Sequence, residues 1–292
     1  MRNTMKIHID YQATYTYEEQ VSLSPHIVRI FPRHDMYTRV IDQNFHCGGD
    51  AIVQFQRDLH DNETAYCFFS KETHQFDITM DAVIEVTPRN PLQFLLDTHG
   101  LTLPPVYSDA ETALLAPHLQ TAFATPLPPP LAPEPNRPTV ETLLTMLRWM
   151  NEQIGYERRE EGAPLPPERL LDRRTGSCRD FMALLAEALR QNGVGARLVS
   201  GYLWEEPALA RRVADNAMHA WVEAYLPGAG WLALDPTNGV FCDHHAIPAA
   251  AGLTPDDIAP VSGTYYGERQ IPSHLTTRLK IAEPQIAEPQ SL

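Results

Sequence analysis

From Met5 to Tyr17 every odd position is apolar (Met5, Ile7, Ile9, Tyr11, Ala13, Tyr15, Tyr17), while the even positions hold Lys, His, Asp, Gln and Thr. A strict period of two places alternate side chains on opposite faces of an extended chain, so this stretch is a strand buried on one face and cannot be an amphipathic helix. Ile78, Met80, Ala82, Ile84 and Val86 repeat the pattern between Asp77, Thr79, Asp81 and Glu85. HIVRIF and AIVQFQRDL read as shorter strands, separated by the turn strings HCGGD and LHDNET. Residues 1–105 are therefore expected to form an antiparallel β-sandwich.

The texture then changes. FATPLPPPLAPEPNRPT, from Phe123 to Thr139 at the end of a connecting segment at 106–138, favours extended polyproline conformation and serves either as a free linker or as an ordered strap across the second domain. After it, VETLLTMLRWMNEQI has Leu143, Leu144, Leu147 and Met150 on one side of a helix. Residues 139–275 read as an α+β domain and 276–292 as a polar tail, whose duplicated string IAEPQIAEPQSL predicts disorder.

Composition removes several function classes. The formal charge is -14 with a pI of 5.2 and no Lys/Arg stripe, which disfavours nucleic acid as a partner. No apolar run approaches the roughly 20 residues of a membrane helix, and MRNTMKIHIDYQ turns polar before a signal-peptide core can form, so a cytoplasmic protein with no membrane partner is expected. Cys47, Cys67, Cys178 and Cys242 contain no C-x-x-C pair and fit neither a disulfide framework nor a zinc knuckle. His244 and His245 beside Cys242 and Asp243 lack a second ligand pair, and H-E-x-x-H, P-loop and G-x-G-x-x-G strings are missing. No metal and no cofactor is expected.

The chemistry concentrates in TGSCRDFMALLAEALRQNG. Phe181, Met182, Leu184, Leu185, Ala188 and Leu189 recur at helical spacing, and Asn192-Gly193 supplies the stop. Gly176-Ser177 turns the chain into this helix, with the Ser177 hydroxyl as its cap and Asp180 answering the dipole and pairing with Arg179. Cys178 then stands in the first turn, where unpaired N–H groups favour an anion and depress a thiol pKa. It is either a nucleophile or one more small apolar residue. Downstream, HAWVEAYL and GWLALD read as a hairpin joined by the four residues Pro227 to Gly230. If odd positions pair with odd, His219 and Asp235 share a face, opposite or diagonal. They would then be a general base and its orienting carboxylate; taken singly, His219 reads as a core histidine and Asp235 as a turn-forming residue before proline.

Together, G-S-C-R-D-F, H-A-W-V-E and L-D-P-T-N-G resemble the core of the transglutaminase-like superfamily. YTYEEQVSLSPHIVRIFPR resembles the β domain that precedes that core in bacterial members, and HAIPAAAGLTPDDIAPVSGTYYG resembles their closing segment. The resemblance implies a papain-related Cys-His-Asp site, with Cys178 as nucleophile, His219 as base and Asp235 as orienting acid. It implies acyl transfer on peptide or glutamine-type amides through a thioester, with hydrolysis expected and amine cross-linking or a non-catalytic scaffold as alternatives. The implied partner is a protein or peptide substrate. Trp221 and Trp231 are candidate walls of an amine tunnel, Trp149 and Tyr156 are assigned no catalytic role, and 204–216 is a candidate lid.

Overall fold

The computed structural model describes residues 4–121, 126–159, 162–204, 218–267 and 271–283. In chain order the main elements are β1 (Met5–Leu23), β2 (His26–Val28), β3 (Thr38–Cys47), β4 (Ile52–Arg57), β5 (Glu63–Phe68) and β6 (Thr73–Val86). Four helices follow: α1 (Asp109–Leu115), α2 (Thr139–Gln153), α3 (Pro167–Arg173) and α4 (Cys178–Gln191). The second half contains β7 (Gly195–Leu203), β8 (His219–Leu226), β9 (Gly230–Asp235), β10 (Val240–Phe241), β11 (Ala246–Gly252) and β12 (Ser273–Ala282). Among the described residues, no helix is long and apolar enough to cross a membrane.

The alternating strands form a sandwich because each has one apolar face to cover. β1 pairs antiparallel with β6 on one side, and β6 pairs with β3. The facing sheet runs β2–β5–β4. Ile7, Ile9, Ala13, Ile78, Ala82 and Ile84 are fully buried between the layers, and burying such side chains contributes about 2 kcal/mol each. Cys47 and Cys67, distant in sequence, meet here as hydrogen-bonded thiols. Burial and the neighbouring sulfur push the Cys47 thiol far above its ordinary range.

The second half is a five-stranded antiparallel sheet in the order β10–β9–β8–β7–β11. Even residues of β8 (Ala220, Val222, Ala224, Leu226) pack into one cluster with Phe181, Met182, Leu185 and Leu189 of α4. Odd residues go elsewhere. Glu223 is 4% exposed and its two carboxylate oxygens are bound by Arg33 at 2.6 Å and by Arg197 at 2.6 Å. Burial opposes ionisation of Glu223, but the two guanidiniums outweigh it and hold the pKa below the usual carboxylate range. The apolar cluster of the sandwich also takes in Tyr202, Trp204, Ile247 and Ala249 of the second sheet. The two halves thus share one core, pinned by Arg33–Glu223.

Two expectations about organisation need correction, and one alternative left open is resolved. The sandwich strands end at Val86, not at 105: Phe94 and Leu96 already pack on the second unit, Leu103 is buried in it, and the Asp97 N–H bonds Pro227 O at 2.9 Å. Secondly, the connecting segment is an ordered strap where it is described. Leu131 is fully buried, with its carbonyl accepting from Asn192 at 2.9 Å, and α1 begins at a Ser108–Glu111 capping box. Thirdly, 276–282 is no tail, because β12 pairs with the outer edge of β1 from Tyr17↔Ser273 to His8↔Ala282. Alternate positions Leu275, Leu279 and Ile281 join the sandwich core, a period-two signal hidden among polar neighbours. The remainder of the duplicated string, 284–292, lies outside the described residues.

Replacing Leu279, which is 5% exposed, with alanine is expected to cost about 2 to 4 kcal/mol in urea unfolding; a disordered tail would give no change. Glu223→Gln would leave two guanidiniums facing a neutral amide, at an expected cost of about 3 to 5 kcal/mol. The Glu223 contribution is complete above the ordinary glutamate pKa and is lost as pH falls through the depressed native value. The difference between wild type and Glu223→Gln should therefore be full at neutral pH and shrink in acid.

Candidate active site

The start of α4 is built by Asp180. Its Oδ2 accepts from the Ser177 N–H at 2.7 Å and the Ser177 hydroxyl at 3.0 Å, and its Oδ1 accepts from Leu165 N–H at 2.6 Å and Arg159 at 2.8 Å. The ion-pair partner is thus Arg159 rather than Arg179, whose guanidinium donates instead to the Arg159 carbonyl at 2.5 Å. The Ser177 hydroxyl likewise donates to Asp180. A Cβ on Gly176 would lie 2.6 Å from Leu170 and 2.9 Å from Asp180, so only glycine lets the preceding strand pass this close to the helix mouth.

β8 begins where α4 begins. The Cys178 thiol is hydrogen-bonded to His219 and to the Ala220 backbone N–H. The hairpin register pairs Tyr225↔Trp231 and Glu223↔Ala233, odd with odd, and the connection has three residues rather than four because Leu226 pairs with Gly230. Asp235 therefore lies diagonal to His219, and the His219 Nε2–Asp235 Oδ2 distance is 3.0 Å. That leaves Nδ1 as the ring nitrogen for the sulfur. His219 is 5% and Asp235 1% exposed, whereas Cys178 is partly exposed.

Asp235 is itself fixed. Its Oδ1 accepts from the N–H groups of Thr237 at 2.9 Å and Asn238 at 3.2 Å, and its Oδ2 accepts from Asn238 Nδ2 at 2.6 Å. Burial raises the Asp235 pKa, but His219 and these donors prevail and lower it. For His219, burial disfavours the charged ring; the Asp235 carboxylate and the Cys178 sulfur overcome this and raise its pKa to about 10. Burial also opposes the Cys178 thiolate, yet the His219 hydrogen bond and charge, with Ala220 N–H and Arg179, lower its pKa below the ordinary thiol value. The favoured state is a thiolate–imidazolium pair.

Sulfur and imidazole lie on the floor of a cleft of about 620 Å³. Besides Cys178 and His219 it is lined by Tyr156, Arg158, Arg179 and Met182, and, across from them, by Tyr11, Tyr15, Leu275 and Leu279. No described residue of 106–138 lines it. Trp221, 1% exposed, stacks behind His219 at 6.2 Å between ring centroids. Trp231 sits under Arg197 at 4.3 Å and Trp149 packs against the core, both outside the cleft. Of the candidate lid at 204–216, only Trp204, which is buried, lies within the described residues.

Sequence reasoning missed Asn238, legible as the residue that closes an Asx turn after Asp-Pro, and Gly201. Gly201 pairs with His219, and a Cβ there would lie 2.7 Å from the Trp221 ring that backs the imidazole. Asp243, His244 and His245 bring their ligand-type atoms within 4.8 Å of one another. His245 bonds Asp243 at 2.8 Å and stacks on Trp204.

Two family models match: the transglutaminase-like superfamily core over residues 131–236 and the bacterial transglutaminase-like N-terminal region over 7–85. The chain belongs to the transglutaminase-like superfamily, with the bacterial N-terminal region ahead of the core. An uncharacterized protein of Mycobacterium tuberculosis is 28% identical over 284 residues, covering 91% of this chain and 89% of that one. A Pseudomonas aeruginosa protein-glutamine gamma-glutamyltransferase is 32% identical over 141 residues, 47% of this chain but 19% of that protein. A crystal structure from Cytophaga hutchinsonii, named as a candidate cysteine protease, superposes with a TM-score of 0.71 at 17% identity over 98% of this chain and 93% of that one, so the whole two-part fold is shared.

Iodoacetamide at pH 7 is expected to label Cys178 ahead of Cys47, Cys67 and Cys242, which are buried. His219→Ala should slow that labelling by about tenfold or more by removing the paired cation. Peptide mapping by mass spectrometry reads both.

Proposed function

We propose that the protein is a thiol-dependent acyl-transfer enzyme acting on peptide or glutamine-type amides, with water as the usual acceptor. The observation that carries this reading is the continuous chain from the Cys178 thiol through the His219 ring to the Asp235 carboxylate, opening on a cleft. Cys178 Sγ attacks the carbonyl carbon, and His219 gives its proton to the departing nitrogen as the C–N bond breaks, leaving a thioester. The Cys178 backbone N–H, at the start of α4, supplies one donor to the tetrahedral oxyanion, a contribution of about 3 to 4 kcal/mol. His219 then removes a proton from water as the oxygen adds to the thioester, and the carboxylic acid leaves as the C–S bond breaks, restoring the thiolate–imidazolium pair.

Hydrolysis is favoured over cross-linking by the cleft walls. An amine-selective tunnel needs walls that exclude water, yet Trp231 lies outside the cleft, Trp221 is buried behind the base, and exposed Thr277, Ser273 and Asp256 border the site. The glutamyltransferase relative supports the cross-linking alternative over the shared region. A cytoplasmic setting remains part of the proposal, since a reducing compartment keeps the Cys178 thiol active.

The test is to incubate purified protein with a glutamine-containing peptide, with and without a primary amine, and to follow the products by mass. Glutamate formation or backbone cleavage supports hydrolysis, whereas an amine adduct with loss of ammonia supports cross-linking. Cys178→Ala should lower either rate by at least about 10³-fold. Unchanged turnover in that variant would exclude the thioester route.

A further inference from the structure

Two of the four cysteines meet away from the catalytic cleft. Cys47 ends β3 and pairs with Ile78 of β6, whereas Cys67 lies on β5 in the facing sheet, between His26 and Val53. Both side chains turn into the space between the layers, at 5% and 0% exposure, and they belong to one apolar cluster. There the two thiols are hydrogen-bonded to each other. The chain beyond each cysteine is close as well, since a Cβ on Gly49 would lie 3.7 Å from the Phe69 ring. Neither cysteine lines the cleft.

A buried free cysteine usually serves as one more small apolar residue, and its sulfur can lie against any neighbour. Two of them drawn from opposite sheets into sulfur-to-sulfur contact form the arrangement from which a disulfide closes without large backbone movement. Spacing along the chain gives no hint of it, because the contact depends on how the two sheets stack. Asp77 disfavours charge on Cys47, so Cys67 is the sulfur that ionises first, held by the Cys47 S–H.

We propose that Cys47 and Cys67 are the site of an inter-sheet disulfide that braces the sandwich when the protein meets a disulfide oxidant such as oxidised glutathione. The Cys67 thiolate attacks one sulfur of the oxidant, forming a mixed disulfide and releasing one glutathione thiolate. Cys47 then gives up its proton and attacks the Cys67 sulfur, the second glutathione leaves as thiolate, and the S–S bond joins the sheets. The two protein thiols lose two electrons and two protons, which the oxidant takes up in becoming two thiols. In a reducing cytoplasm the pair rests as two thiols. Because both sulfurs are buried, exchange requires the sandwich to open locally, and closure is slow in the folded protein. The bond ties β3 to β5 and closes a loop of about 20 residues, which restricts the unfolded chain. It is separate from Cys178 and rests on none of the thioester chemistry.

The test takes full-length Cys178→Ala, which removes the thiol of the cleft, and holds it with excess oxidised glutathione in urea just below the unfolding transition. The product is weighed, its remaining thiols are blocked with iodoacetamide in strong denaturant, and its peptides are mapped without reduction. It should be lighter by the mass of two hydrogens, with the Cys47 peptide joined to the Cys67 peptide and Cys242 alkylated. Its thermal midpoint should lie about 5 °C or more above that of the same protein reduced with dithiothreitol. A Cys47→Ala/Cys67→Ala protein should show no such difference, and the peptide map decides the linkage without any variant of the pair. Cys47 and Cys67 both alkylated after oxidation, either one still carrying glutathione or joined as often to Cys242, or an oxidised protein that melts no higher than the reduced one would overturn the inference.

Discussion

The alternation of side chains along β8 is the constraint on which the rest depends. Even residues seal α4 to the sheet, while odd residues carry His219, the ring behind it and the ion pair that joins the two halves. Because the period is two, a slip of one residue would turn Glu223 into the apolar helix interface and remove His219 from Cys178 at the same moment. Stability and the candidate chemistry are therefore coupled through one register. Buried Val222 and Ala224, which touch no substrate, hold His219 in place as surely as its hydrogen bonds do.

The same logic places charges. Asp235, Asp180 and Glu223 are all buried at 4% exposure or less, a costly arrangement unless each is saturated by partners. Each is. Asp235 has an Asx turn and His219, Asp180 has the helix mouth and Arg159, and Glu223 has two arginines. Asp235 and Asp180 sit on either side of the Cys178–His219 pair, one orienting the ring and the other fixing the backbone turn from which the sulfur projects. The result is a preorganised site, in which little rearrangement is needed as charge develops.

Strands with strong alternation were legible, as was the helix of residues 178–191, because a period is a local property. The shared face of His219 and Asp235 was legible too, since odd-with-odd pairing in a short hairpin turns both side chains the same way, whereas the register that makes them diagonal neighbours rather than opposite ones was decided by the structure. β12 was not, because polar residues interleave Leu275, Leu279 and Ile281 and only pairing with β1 makes that weak pattern a strand. Helix α1 hid behind the neighbouring prolines, although Ser108 and Glu111 form its capping box. The pairing of Asp180 with Arg159 rather than adjacent Arg179 could not be foreseen, because it depends on how the loop before α3 folds back over the helix start.

By itself the sequence determined the two β and α+β textures, the helix that presents Cys178 and the family to which these strings belong, for they are written in residues near one another along the chain. Only the tertiary structure decided that the sandwich walls the cleft, that the last strand returns to the first, and that two halves share one core. The physical reason is range. Periodicity and capping act over a few residues, whereas the pairing of Tyr15 with Leu275 and of Arg33 with Glu223 joins segments far apart, whose meeting is selected by the free energy of the whole packed chain.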